Sequence, residues 1–188
     1  MTKAALRTLH LSRRKALSDA EKRAAFSVIT EKVCARLALY DSIGIYVSVG
    51  DEVDTHEIIR WALAQGKRVC VPKVVEGSLR FIDIHALEDC VPAKFGLLEP
   101  LSSIAASDPQ IHVVPMLAFN ARRYRLGYGK GFYDAYLKTY TGLTLGLCYA
   151  DDLEPALIED LWDVPLDEIL SERLFHTLSH KTAIALTH

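Results

Sequence analysis

Three glycines alternate with Tyr128 and Lys130 in the run Arg125-Leu126-Gly127-Tyr128-Gly129-Lys130-Gly131-Phe132-Tyr133-Asp134. Glycine permits positive φ and leaves room beside the backbone, so amide N–H groups here can turn toward an anion. A helix starting near Phe132 would add the positive end of its dipole, and Lys130 with Arg125 would neutralise further charge. The ligand such a loop suits is a polyphosphate. The run lacks the Walker A order. It also fails the dinucleotide fingerprint, which needs a G-x-x-G step and an acid about twenty residues later for the ribose. Tight turns use glycine as well, so the string taken alone fits a purely structural role equally.

A loop of this kind needs a scaffold. Residues 3–17 set Ala4, Leu6, Leu9, Leu11 and Leu17 among basic positions, a loosely amphipathic first helix. Ser18-Asp19-Ala20-Glu21 has the form of a capping box opening a second helix, with Ala24, Ala25, Val28, Ile29, Val33 and Leu37 as its apolar stripe. Residues 43–47 read as a buried strand, 55–65 as a helix ending near Gly66, and 68–72 as the next strand. That order is a βαβ unit and predicts a parallel sheet with a right-handed crossover. Residues 79–84 alternate as a strand does, and 89–107, rich in Pro and Ser, read mostly as loop. Strands follow at 111–115 and 143–148, with a helix at 132–138 between them. The expected class is α/β: a single-domain layered sheet, largely parallel, with helices on both faces and two N-terminal helices. The domain spans 1–173, and 174–188 form a weakly ordered C-terminal tail. His176 and His180 stand four apart there, but no Glu, Cys or third His joins them, which argues against a metal site.

Composition narrows the function. With 24 acids against 22 bases the net charge is -2, too small a field for a general nucleic-acid or membrane binder, so neither partner is expected. Cys34, Cys70, Cys90 and Cys148 form no CxxC pair, which indicates free thiols in a reducing cytosol rather than zinc or a disulfide framework. Residues 1–7 lack a signal-peptide core and no apolar run approaches the ~20 residues of a membrane span, so the expected location is cytoplasmic.

Four separated segments resemble the 5-formyltetrahydrofolate cyclo-ligase (methenyltetrahydrofolate synthetase) family. They are Lys3-Ala4-Ala5-Leu6-Arg7; Asp51-Glu52-Val53-Asp54-Thr55; Val114-Pro115 leading into the glycine run; and Trp162-Asp163-Val164-Pro165-Leu166-Asp167. Their order agrees with the family from residue 3 to about 172. The resemblance implies that ATP phosphorylates the formyl oxygen of 5-formyltetrahydrofolate and that N10 then attacks the activated carbon. Phosphate departs to leave 5,10-methenyltetrahydrofolate, beside ADP.

It also implies roles for residues. Lys3, Arg7 and the run Arg125, Leu126, Gly127, Tyr128, Gly129, Lys130, Gly131, Phe132 and Tyr133 hold ATP, with Lys130 and Arg125 serving catalysis. Asp134 and Asp163 take Mg2+. Val47, Glu52, Tyr128 and Tyr133 contact the reduced formylfolate. Apart from the resemblance, Lys3 and Arg7 suit a solvated helix face, Asp163 an ordinary turn before Pro165, Val47 a buried strand end, and the two tyrosines packing on the sheet.

The chain departs from the family at the turn before the loop. Asn120 and Arg123 stand where Asp and Gly are common, and a Gln usual after the strand ending near Tyr149 is missing, with Asp151-Asp152 in its neighbourhood. A monomer is expected, with a dimer as the alternative. A folate or nucleotide binder without turnover, or an ATP-dependent enzyme for another small molecule, are the competing readings.

Overall fold

The computed structural model describes residues 1–93 and 96–177. Helix α1, Lys3–Ala16, starts at Thr2, whose side chain accepts from the Ala5 N–H at 3.2 Å. Helix α2, Asp19–Leu37, opens with the expected capping box: Ser18 N–H donates to the Glu21 carboxylate at 2.8 Å and Glu21 N–H to Ser18 Oγ at 3.3 Å. There follow β1 Ser42–Ile45, α3 His56–Ala64, β2 Arg68–Val75, β3 Ser78–Ile84, β4 Cys90–Pro92 and β5 Leu98–Pro100. The chain continues through β6 Ile111–Pro115, β7 Ala118–Phe119, β8 Arg125–Leu126, α4 Phe132–Leu137, β9 Leu143–Leu147, β10 Glu168–Leu170 and β11 Phe175–Thr177.

The main sheet runs β11-β10-β9-β6-β1-β2-β3. Its strands are parallel from β10 to β2, and both edges are antiparallel. Alternate side chains divide between two cores, as a strand's period of two requires. Ile43, Ile45, Ile111, Val113, Leu145 and Leu147 meet Ile29, Val33 and Leu37 of α2 and Ile58, Ile59 and Ala62 of α3. Val114 and Ile169 face the other way and join Leu137 of α4. Gly44 is a fixed point of that second face, because a Cβ there would overlap the His112 ring. The ring packs against Phe81, Tyr136 and Tyr140, with Nε2 2.9 Å from the Tyr136 hydroxyl.

Three expectations need correction. Of the apolar residues assigned to the first helix, Leu6 alone is fully buried, and His10 and Arg14 complete its inner face. In α2, Ala24 and Val28 are exposed, because only the positions of Ala25, Ile29, Val33 and Leu37 point at the sheet. The stretch read as loop after residue 89 contains the antiparallel pair β4–β5. Strands of three residues ending in Pro92 and Pro100 carry no readable alternation. Lys73 ties that segment down by donating to the carbonyls of Pro100, Leu101 and Ser102 at 2.7, 3.2 and 2.8 Å.

Of the expected tail, Phe175–Thr177 pair with β10, while 178–188, and with them His180, lie outside the described residues. The four cysteines are free, and burial pushes the Cys70 thiol up to about 12. Among the described residues no helix is long and apolar enough to cross a membrane.

Burial holds His112 as the neutral imidazole, its pKa down from 6.5 to about 3. An unfolded chain takes up a proton that folded His112 refuses, so stability falls as pH drops below 6.5, by up to about 1.4 kcal/mol per unit. Urea midpoints compared at pH 6.5 and about 5 should therefore fall further in wild type than in His112→Leu. Equal falls would show that another group sets the acid limb.

Candidate active site

The carboxyl ends of β1, β2 and β6 open into a cavity of about 690 Å³, where sites form in sheets of this kind. Helix α1, the glycine run, β5 and the segment around Asp160 to Asp163 complete its wall. Every residue proposed for the site on sequence lines this cavity: Lys3, Arg7, Val47, Glu52, all of Arg125 to Asp134, and Asp163.

The glycines are explained by two arginines. Arg7 Nε donates to the Gly127 carbonyl at 2.8 Å. A Cβ on Gly129 would lie 3.2 Å from Arg7 Cζ, and one on Gly127 would lie 2.6 Å from Arg125 Nη1. Gly129 and Gly131 also adopt φ of 95° and 73°, a region unfavourable to side chains. The backbone of this run is bare so that guanidinium groups can reach it. Helix α4 has six residues, so its dipole contributes less than these side chains.

Arg125 is buried, and its Nη2 lies 2.9 Å from Asp134 Oδ1. Its Nε has no hydrogen-bond partner among the described residues. Its guanidinium stands 5.4 Å from the centre of the Tyr133 ring. Burial lowers the Arg125 pKa, and the charges of Asp134 and Asp163 oppose that shift. Both carboxylates thus converge on one guanidinium. Lys3 Nζ donates to Asp163 Oδ2 at 2.5 Å and to Asp160 Oδ2 at 2.6 Å. Burial works against the Lys3 ammonium, but these two acids outweigh it and raise its pKa.

No group of three or more His, Cys, Asp or Glu that could hold a metal occurs among the described residues. Asp134 and Asp163 nevertheless fit a Mg2+ that shares its shell with phosphate oxygens and water, since such ions use one or two carboxylates.

Val47, Pro72, Val74 and Leu79 give the cavity an apolar part of its lining. Glu52 lines it too, accepting from the Val49 N–H at 2.9 Å. Burial raises the Glu52 pKa, against hydrogen bonds from Val49 and the Tyr128 hydroxyl. Tyr128 is 44% exposed as a residue, with its hydroxyl end near Glu52, and burial and that charge push its pKa up. The Tyr133 hydroxyl is buried with no hydrogen-bond partner. A carboxylate acceptor beside an unsatisfied hydroxyl, between apolar walls, suits a flat heterocycle bearing N–H and carbonyl groups.

Sequence reasoning missed Lys73, Leu98, Glu99, Asp160 and Trp162, which also line the cavity. Lys73 carried a usable signal, since it follows Pro72 near the carboxyl end of a parallel strand. The unusual turn keeps its shape: Arg123 takes the left-handed φ of 65° and donates from Nε to the Leu166 carbonyl at 2.9 Å. Asn120 Oδ1 accepts from the N–H groups of Arg122 and Tyr124 at 3.0 and 3.1 Å. Arg122 pairs with Glu159, and of the three arginines in this turn only Arg125 lines the cavity.

A bare glycine loop reached by Arg7 and Arg125, the carboxylates of Asp134 and Asp163, and half-buried Glu52 among apolar side chains thus share one cavity of an α/β enzyme. A family model described as the 5-formyltetrahydrofolate cyclo-ligase family matches residues 1–172. The 5-formyltetrahydrofolate cyclo-ligase of Mycoplasma genitalium is 30% identical over 174 residues, 89% of this chain and 96% of its own. The NMR structure of Aquifex aeolicus 5,10-methenyltetrahydrofolate synthetase superposes with a TM-score of 0.81 at 30% identity, covering 100% of this chain and 97% of that one. The Mycoplasma pneumoniae 5,10-methenyltetrahydrofolate synthetase gives 0.74 at 30% identity, covering 92% and 99%. The chain belongs to the 5-formyltetrahydrofolate cyclo-ligase family.

Gly129→Ala should weaken inorganic triphosphate binding about tenfold, since it strains φ and displaces Arg7 together. Calorimetric titration of the folded variant reads this directly, and unchanged affinity would contradict the role given to the loop.

Proposed function

We propose that this chain closes 5-formyltetrahydrofolate to 5,10-methenyltetrahydrofolate with consumption of ATP and release of ADP and phosphate. The observation that carries this reading is Arg125: a buried cation whose Nε has no hydrogen-bond partner among the described residues, on a bare glycine loop that shares its cavity with Glu52. A formyl oxygen is a poor leaving group until phosphorylated, and phosphoryl transfer is catalysed by positioning and charge neutralisation. No protein nucleophile is needed.

Lys3, Arg7, Arg125, Lys130 and the amides of 125–133 hold the triphosphate. Asp134 and Asp163 hold Mg2+ when it is bound, and the ion neutralises charge on the phosphate oxygens. The Glu52 carboxylate accepts from the ring N–H and amino groups of the pterin. The Tyr133 hydroxyl supplies a donor beside it, and Val47 with the apolar walls keeps water from the activated carbon. The location is cytoplasmic and the working unit a monomer. A homologue that binds without turnover is disfavoured, because Arg123 and Asn120 keep the turn that presents Arg125.

Methenyl product, followed by its absorbance, should form only with ATP and Mg2+ both present. Asp134→Asn and Lys130→Ala should each lower kcat/KM by roughly 10²–10³, as loss of groups that meet developing charge does. Asp134→Asn should also raise the Mg2+ concentration needed for half-maximal rate. Wild-type rates in either variant, or product without ATP, would sink the assignment.

A further inference from the structure

Helix α1 brings Lys3 and Arg7 to the cavity from its first two turns. It is attached to the body through Leu6, His10 and Arg14, spaced by four and so on one face. Of these three, Leu6 is the apolar one and packs with Ala118, Leu126 and Leu157. His10 is fully buried, with Nδ1 3.2 Å from Asp152 Oδ1 and Nε2 3.2 Å from Glu154 Oε2. Arg14 Nη2 donates to Asp152 Oδ2 at 2.7 Å and to the Met116 carbonyl at 2.6 Å. Arg13 stands 3.8 Å from Glu154 at the exposed margin.

Both carboxylates are themselves fixed. Asp152 Oδ2 accepts from the Tyr149 N–H at 2.9 Å, and Glu154 Oε1 from the Ala156 N–H at 3.1 Å. None of His10, Arg14, Asp152 and Glu154 lines the cavity.

Such an attachment differs in kind from an apolar one. Apolar faces tolerate small slides, whereas hydrogen bonds weaken steeply with distance and angle. Arg7 precedes His10 by three residues, about 4.5 Å along the helix, so any slip at His10 reaches the Gly127 carbonyl almost undiminished. We propose that His10, clamped between Asp152 and Glu154 and braced by Arg14, is a positioning residue: it fixes the register of α1 and thereby sets phosphate affinity through Lys3 and Arg7. This rests on the ATP-dependent reading above.

The test compares wild type with His10→Ala, Glu154→Leu and Glu154→Gln, measuring KM for ATP, KM for 5-formyltetrahydrofolate, and amide hydrogen exchange without ligands. KM for ATP should rise about tenfold in His10→Ala and Glu154→Leu, the scale of one lost charge-assisted contact, with KM for the folate unchanged. Glu154→Gln, which keeps an oxygen facing Nε2, should stay within about twofold of wild type. Exchange across 125–131 should quicken in ligand-free His10→Ala, because Arg7 no longer holds Gly127.

Equal rises in both KM values, or a lowered melting temperature with KM for ATP and exchange unchanged, would overturn the proposal. If His10→Ala does not fold, Glu154→Leu at the margin of the network carries the same comparison. If wild type proves indifferent to ATP, that earlier reading fails alone, and the ligand-free exchange still decides whether His10 sets the helix.

Discussion

A guanidinium buried beneath bare backbone is the constraint from which the site follows. Burying a charge is costly unless it is paired and hydrogen-bonded. Arg125 receives Asp134 and the Tyr133 ring, while its Nε has no hydrogen-bond partner among the described residues. The loop is therefore more than a tight turn: it covers a guanidinium that its neighbours match only in part. Clearance then dictates sequence. Gly127 must lack a Cβ for Arg125, and Gly129 must lack one for Arg7. Helix α1 must begin where Arg7 can reach the loop, and the turn at Asn120 must start β8 so that Arg125 points inward.

Charge in the cavity is arranged in pairs. Lys3 rests on Asp160 and Asp163, and Arg125 on Asp134, so each of these bases has an acid beside it. The apolar part works by a separate logic, in which Glu52 and Tyr133 present one acceptor and one donor against walls that exclude water.

Much of this was legible in residue order, and the illegible parts share a cause. Strands buried on both faces are continuous apolar runs, so Ile111–Pro115 reads directly, and Ser18 with Glu21 announces α2 through chemistry three residues apart. The glycine run reads equally as an anion loop or a tight turn, and Lys3, Arg7, Glu52 and Asp163 join it only through family resemblance. Hidden features depend on distant partners. His10 meets Asp152 and Glu154 across 142 and 144 residues, and no local period reports a buried polar face whose complement lies so far away. Lys73 likewise meets its three carbonyls through the folded edge of the sheet, and β4 and β5 are too short and too rich in proline to alternate.

The departures from the family pattern show that the pattern encodes geometry more than identity. A non-glycine residue in the left-handed region costs roughly 1 kcal/mol, and Arg123 meets that cost with a hydrogen bond to Leu166 that glycine cannot make. Asn120 supplies the same turn through an amide oxygen, so β8 still delivers Arg125. Near the other departure, Asp152 is buried between His10 and Arg14 and does not line the cavity, so what it holds is the seat of α1. The turn beneath the glycine loop and the seat of the helix above it are thus built from separate sets of polar contacts.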